Sequence, residues 1–288
     1  MKKKKLFIII IAVFLVLSVS AAVYCLLTGV FTVKKIEPKQ TVLLSDITEN
    51  TDGIRLIAHR GLSATEPENT LPAFEEAGKN GFFGAECDVH RTTDGKWVIM
   101  HDGDTKKMCG VRKYIEKSTS ETLFSLDITN GANIEKYNNL KIPTVEQYLE
   151  VCIQNGVTPV IEIKNADCSV ETVRTLYDAV YSVKGVKNVI FISFKKQALE
   201  SLREIDGEAV CFLLVSDITA SDVDYCKENG FGINFNANSK KLKDEPVKYA
   251  VTSGIDTACW TVDKKEILNK MLSLGIYTFT TNRILPEE

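Results

Sequence analysis

Hydrophobic and polar positions along this chain fall into blocks whose period changes. Residues 54–58 form a short apolar run ending at His59-Arg60-Gly61, the pattern of a buried strand. A polar loop over 63–70 leads into a helix that Asn69 or Thr70 can cap. It runs to about residue 79, where Asn80-Gly81 stops it. Residues 83–91 and 97–101 are extended runs joined by Thr93-Asp94-Gly95-Lys96, and Asp-Gly in that setting predicts a two-residue hairpin. Residues 103–141 lose the periodicity and are rich in Lys, Thr, Ser and Asn. They read as an insertion packed over one end of the domain.

From Thr144, which with Gln147 can form a capping box, a regular alternation sets in. Helices are predicted over 145–155, 170–183, 195–205, 221–229, 245–253 and 264–274. Between them lie strands over 157–163, 189–193, 209–215, 232–235, 256–262 and 276–280. Strands alternating with helices of this length imply parallel βαβ units. So many repeats in about 235 residues point to the α/β class and a closed TIM-type (βα)8 barrel rather than an open sheet. There are nine strand candidates for eight places, and the hairpin supplies the extra one; the 103–141 insertion follows the third strand. No Gly-rich phosphate loop of the Rossmann or P-loop kind occurs.

The start of the chain follows a different rule. Lys2 to Lys5 precede residues 6–33, 28 residues without a charge, and Lys34 and Lys35 follow. A bilayer needs about 20 apolar residues in a helix, whereas the apolar core of a secretory signal has about 7–15. A retained transmembrane helix within 1–35 is the reading, with Ser18-Val19-Ser20 as an alternative cleavage site. Four lysines before the run against two after it place the N-terminus in the cytoplasm, so the catalytic domain would be extracytoplasmic and held at the cell membrane by a single pass. Residues 36–53 then read as a linker and 54–288 as the barrel domain.

Composition is that of a globular protein with a sizeable core, 44% hydrophobic and 25% charged. The 35 basic residues less the six lysines at 2–5, 34 and 35 leave 29 against 38 acidic ones, a net charge of −9 beyond residue 35. That balance, with no basic run, argues against nucleic acid as a partner. Seven cysteines follow the apolar run without CxxC or Cys/His metal spacing and read mainly as small buried apolar residues.

Candidate chemistry is concentrated in residues 56–102, which hold all three histidines, His59, His90 and His101. In a βα barrel the active site lies at the C-terminal ends of the strands, where His59 and Arg60 end the first. Glu86 and Asp88 are two apart on the next strand and so share a face. A two-residue Asp94-Gly95 loop pairs Thr93 with Lys96, setting Asp88 opposite His101 and His90 opposite Ile99. Glu162 ends a later strand, with Lys164 two residues on. Three converging carboxylates, Glu86, Asp88 and Glu162, repel one another unless a cation lies between them, and oxygen-only ligands suit Mg²⁺ or Ca²⁺. Two imidazoles beside that ion, with Arg60 and Lys164, make a pocket for a phosphate group and an acid–base pair. His90, nearer the hairpin tip, reads as structural.

HRG followed by PENT, then E-x-D, T-x-DG and HD, with a later E-x-K, resembles the glycerophosphodiester phosphodiesterase family from about residue 54 to the C-terminus. The resemblance implies a βα barrel with a small insertion after the HD motif. It also implies hydrolysis of glycerophosphodiesters to glycerol 3-phosphate and an alcohol with one divalent cation. By position, His59 and His101 become the acid–base pair, Glu86, Asp88 and Glu162 the metal ligands, and Arg60 and Lys164 the phosphate holders. Trp260, in WTVD, is similar to a late strand-end tryptophan that borders substrate. The chain departs from the family pattern at Asp263, where Asn is usual, and at Asn282, where Thr-Asp is common. Two alternatives stand beside this reading: a catalytically silent ligand-binding barrel, and a phospholipase-type enzyme acting on intact lipid or on a glycerol-phosphate polymer.

Overall fold

Short apolar runs flanked by amphipathic helices pair edge to edge until the sheet closes. In a computed structural model describing residues 33–49 and 51–287, the strands are β1 (Val42–Leu43), β2 (Arg55–Ala58), β3 (Gly84–Arg91), β4 (Trp97–Ile99), β5 (Thr158–Ile163), β6 (Ile190–Ser193), β7 (Val210–Val215), β8 (Gly232–Asn236), β9 (Thr257–Trp260), β10 (Thr278–Thr281) and β11 (Ile284–Leu285). The ring runs β2-β10-β9-β8-β7-β6-β5-β3 and closes through β2–β3, with every neighbouring pair parallel. The ninth member of this sheet, β4, lies antiparallel to β3.

Two apolar layers hold the ring. Ile57, Val160, Ile192 and Leu214 form one buried cluster, while alternate positions such as Leu56, Ala58, Ile161, Phe191 and Leu213 pack with the helices in the main core. This is the period-two alternation expected of a sheet covered on one face and filled on the other. Tyr148, fully buried on the helix Val145–Asn155, donates its hydroxyl to the Ala85 carbonyl at 2.6 Å and accepts from the Val160 N–H at 2.9 Å. One side chain thus ties β3 to β5, the two strands that carry the carboxylates.

Several expectations change. The hairpin turn has three residues, not two: the Thr92 N–H donates to the Lys96 carbonyl and Gly95 takes φ +84°. A type I turn followed by a left-handed residue explains this loop. The register therefore moves by one, pairing Val89 with Ile99 and His90 with Val98, and Met100 rather than His101 bonds to Asp88 through its backbone. The helix Leu71–Lys79 begins after Thr70 without a side-chain cap; Thr70 donates instead to the Pro67 carbonyl, and Asn69 turns inward. The stretch read as a linker carries structure of its own. There β1 pairs in parallel with β11, Leu44 and Ile47 are buried, and the Ile36 N–H donates to Asn130.

By contrast, the capping box of Thr144 and Gln147 is present as expected. Residues 103–141 contain the short helices Lys106–Cys109 and Ser120–Phe124 and share a separate apolar cluster with Val98, Met100 and Ile142. All seven described cysteines are buried free thiols. Contacts divide the chain into Met1–Lys34 and Lys35–Glu288. The membrane-spanning helix expected over 6–33 falls outside the described residues at all but its last position. Among the described residues no helix is long and apolar enough to cross a membrane.

Candidate active site

The carboxylate cluster follows from strand register. Glu86 and Asp88 stand two apart on β3, and Asp88 is the lateral partner of Glu162 on β5. All three therefore point into the mouth of the barrel, and one oxygen from each lies within 4.8 Å of the others. Glu86 and Asp88 are buried at 2% and 0% exposure, where ionised groups persist only with partners.

Backbone geometry around His59-Arg60-Gly61 provides some of those partners. Arg60 and Gly61 both adopt positive φ, +59° and +72°, turning the chain sharply at the end of β2. The Arg60 N–H donates to Glu86 Oε2 at 2.8 Å, and the Gly61 N–H to the Glu86 carbonyl at 3.2 Å. Asn69, also at positive φ, clasps Asp88: its Nδ2 donates to Oδ2 at 2.7 Å, and the Asp88 N–H donates back to Asn69 Oδ1 at 3.2 Å. Lys164 Nζ lies 3.1 Å from Glu162 Oε1 and 3.4 Å from Asp88 Oδ1. Arg60 Nη1 donates to Glu68 at 3.0 Å, and Lys107 of the insertion reaches the same Glu68 oxygen at 2.6 Å.

Two buried oxygens, Glu86 Oε1 and Asp88 Oδ1, have no hydrogen-bond donor. Burial, with the charges of Asp88 and Glu162, pushes the Glu86 carboxyl well above the usual carboxylate range. Glu162 is pushed up to about 7 by burial and by Asp88, against the pull of Lys164. Asp88 goes the other way: burial works to raise it, but Arg60 and Lys164 hold it down at about 2. Orphaned buried oxygens on Glu86 and Asp88, with Glu162 converging on them in a hard, oxygen-only donor set, fit a divalent cation such as Mg²⁺ or Ca²⁺.

Both histidines border a cavity of about 320 Å³, each held by Nδ1. His59 Nδ1 is 2.8 Å from Asn282 Oδ1, and His101 Nδ1 is 2.8 Å from Asp102 Oδ1. Burial and the nearby Arg60 lower His59 to about 4. His101 is lowered by burial, a shift that Asp88 and Asp102 oppose. Arg60, Glu86, Glu162, Lys164 and Trp260 also line the cavity. The same lining holds an apolar wall of Ile192, Phe194, Leu214 and Trp260, where the rings of Phe194 and Trp260 meet edge to face at 5.6 Å.

All eight residues singled out in the sequence are thus placed at one strand mouth, Asp88 just behind the lining. His90 is not part of the lining; its Nδ1 meets Glu116 of the insertion at 3.2 Å. Glu68, Asn69, Phe194 and Asn234 were missed, because polar or aromatic residues in loops and single strand positions carry no periodic signal. Asp263 and Asn282, the two departures from the family pattern, turn out to be hydrogen-bonded to each other.

The profile of the glycerophosphoryl diester phosphodiesterase family matches residues 59–285. Human glycerophosphodiester phosphodiesterase 1 is 28% identical over 213 residues, 72% of this chain and 64% of that protein; the chain thus spans under two thirds of that relative's length. The solved glycerophosphodiester phosphodiesterase of Parabacteroides distasonis is 28% identical with a TM-score of 0.68, covering 81% of this chain and 94% of its own. An Oleispira antarctica phosphodiesterase, solved with its product sn-glycerol-3-phosphate, shares the fold at a TM-score of 0.72 and 24% identity, covering 79% of this chain and 92% of its own. With the profile running from His59, just after β2, through every later strand of the ring to β11, this chain belongs to the glycerophosphoryl diester phosphodiesterase family.

Proposed function

We propose that this protein hydrolyses small glycerophosphodiesters to glycerol 3-phosphate and an alcohol. The observation that carries the reading is the placement of two imidazoles, two cations and three convergent carboxylates around one cavity of about 320 Å³. Arg60 and Lys164 bind and orient the phosphate. His59, neutral and backed by an amide, takes the proton of the attacking oxygen, either water directly or a substrate hydroxyl whose cyclic phosphate a water then opens. His101, whose Nδ1 faces a carboxylate that favours its protonated form, delivers a proton to the leaving alcohol oxygen as the P–O bond breaks. Glu86, Asp88 and Glu162 would hold one divalent cation, which when bound offsets charge on the phosphoryl oxygens. The apolar wall of Ile192, Phe194, Leu214 and Trp260 shields the carbon skeleton of the substrate from water.

A cavity of this volume suits a small diester better than the acyl chains of an intact phospholipid, so the phospholipase-type reading stands second. The retention of every candidate acid, base and ligand weighs against a silent barrel. The same proposal includes an N-terminal single-pass anchor within 1–35, with the barrel on the extracytoplasmic side.

The test uses the full-length protein with glycerophosphocholine, lysophospholipid and poly(glycerol phosphate). Release of glycerol 3-phosphate from the small diester is expected, abolished by EDTA and restored by Mg²⁺ or Ca²⁺. His59→Ala and His101→Ala should each lower kcat by about 10²–10⁴-fold. Activity that survives EDTA, or that ignores both substitutions, would refute the mechanism.

A further inference from the structure

We propose that Asn282, locked by Asp263, is a positioning residue that sets the tautomer and aim of His59; the inference rests on the diesterase reading above. Three successive strand ends build the device. Asp263 follows β9, Asn282 follows β10 and His59 follows β2, and these strands are neighbours in the ring. The direction of every bond in the chain of contacts is forced. Asp263 has no proton to give, so the atom of Asn282 that sits 2.6 Å from Asp263 Oδ2 must be the amide nitrogen. The other carboxylate oxygen accepts from the Asn282 N–H at 2.8 Å and from the Thr281 hydroxyl at 3.1 Å. The carboxylate therefore cannot turn without losing several bonds at once.

With Nδ2 committed, Asn282 can present only its carbonyl oxygen to His59, 2.8 Å from Nδ1, and the Ser63 hydroxyl donates to that same oxygen at 3.2 Å. An acceptor at Nδ1 requires an Nδ1–H, and the nitrogen that carries the proton is set by such a bond. Nε2 is left bare as the nitrogen available to the cavity, the form a general base needs. A flipped amide would offer His59 a donor, favour a proton on Nε2 and remove the base. Asp263 thus acts on the reaction at two removes, without touching substrate.

The test reads tautomer and rate separately. Full-length protein labelled with ¹⁵N at histidine carries three imidazoles, few enough to assign. In the wild type His59 should show a protonated Nδ1 and a bare Nε2. In Asn282→Leu the signals should move towards the Nε2–H form. On glycerophosphocholine kcat should fall by about 10²-fold or more with KM within about threefold, as loss of a general base predicts. Asp263→Asn, which frees the amide to flip, gives the same comparison should the leucine variant fail to fold. The double exchange Asp263→Asn with Asn282→Asp keeps an oxygen facing Nδ1 and a donor behind it. It should restore the wild-type tautomer and recover kcat to within about tenfold. An unchanged His59 tautomer in both single variants overturns the proposal, and so does a changed tautomer with kcat intact. A wild-type chain without diesterase activity would instead overturn the function reading, leaving the relay to be judged on its spectra.

Discussion

Glu86 has one oxygen held by the Arg60 N–H and the other, Oε1, buried without a donor. An ionised carboxylate in that position costs stability unless a cation fills the cluster. Glu86→Gln keeps the bond to Arg60 and removes the charge. The metal-free protein should become more stable by about 1–2 kcal/mol, while the rise in Tm with added Mg²⁺ or Ca²⁺ should disappear. A wild type whose Tm ignores both ions would refute this. His59 makes an acid-stability prediction. Its pKa falls from 6.5 to about 4 on folding, so between those values the unfolded chain binds the extra proton. Its contribution is complete above about 6.5 and lost as pH falls to about 4. Glu162, raised to about 7, works in the opposite sense in metal-free protein, so the comparison must be made against His59→Gln. The stability gap, wild type minus variant, should widen with rising pH across that window in urea titrations; parallel curves would refute the assignment.

At the scale of elements, the corner after β2 carries most of the positional information. Gly61 lies so close to the helix Leu71–Lys79 that a Cβ there would stand 2.5 Å from the Ala73 carbonyl carbon and 2.7 Å from its oxygen. Its φ of +72° adds strain for any other residue. Gly61→Ala should therefore cost about 2–4 kcal/mol from overpacking and the left-handed conformation together. Activity should fall even in the folded fraction, because Arg60 and Glu86 share this corner. Denaturation and specific activity measured on the same preparation check both parts. The β3–β4 hairpin shows the complementary case. A glycine at the third loop position rather than the second moved the register by one, and a one-residue slip exchanges faces. The slip concerns the β4 residues; His90 keeps the face of Glu86 and Asp88, and lying two residues further along β3 than Asp88 it meets Glu116 of the insertion, in line with its structural reading.

For the whole molecule, ring closure matters because it brings residues from β2, β3, β5, β9 and β10 to one mouth. The net charge of −9 beyond residue 35 opposes electrostatic adhesion to anionic lipid, so it does not substitute for an anchor. The proposed tether therefore predicts that the full chain stays with membranes through high-salt washing, whereas protein lacking residues 1–33 is released. Protease added outside intact cells should digest the barrel domain. A full chain found in the wash, or protected from the protease, would refute the anchor or its orientation respectively.

Periodicity, caps and the HRG, E-x-D, HD and E-x-K spacings were enough to predict a barrel, its helices nearly to the residue, and seven candidate site positions, with Trp260 added by the family resemblance. These are local signals: a helix face, a strand's alternation and a capping box are each written within a dozen residues. The hairpin register, the inward turn of Asn69, the docking of residues 36–53 and the Asp263–Asn282–His59 relay were decided only in three dimensions. Each depends on contacts between segments tens to hundreds of residues apart, or on a turn type that several loop lengths could satisfy. Sequence alone named Asp263 and Asn282 as departures from a pattern. Only the closing of β9, β10 and β2 into one ring made them partners, because a donor and an acceptor acquire direction when the backbone brings them within bonding distance.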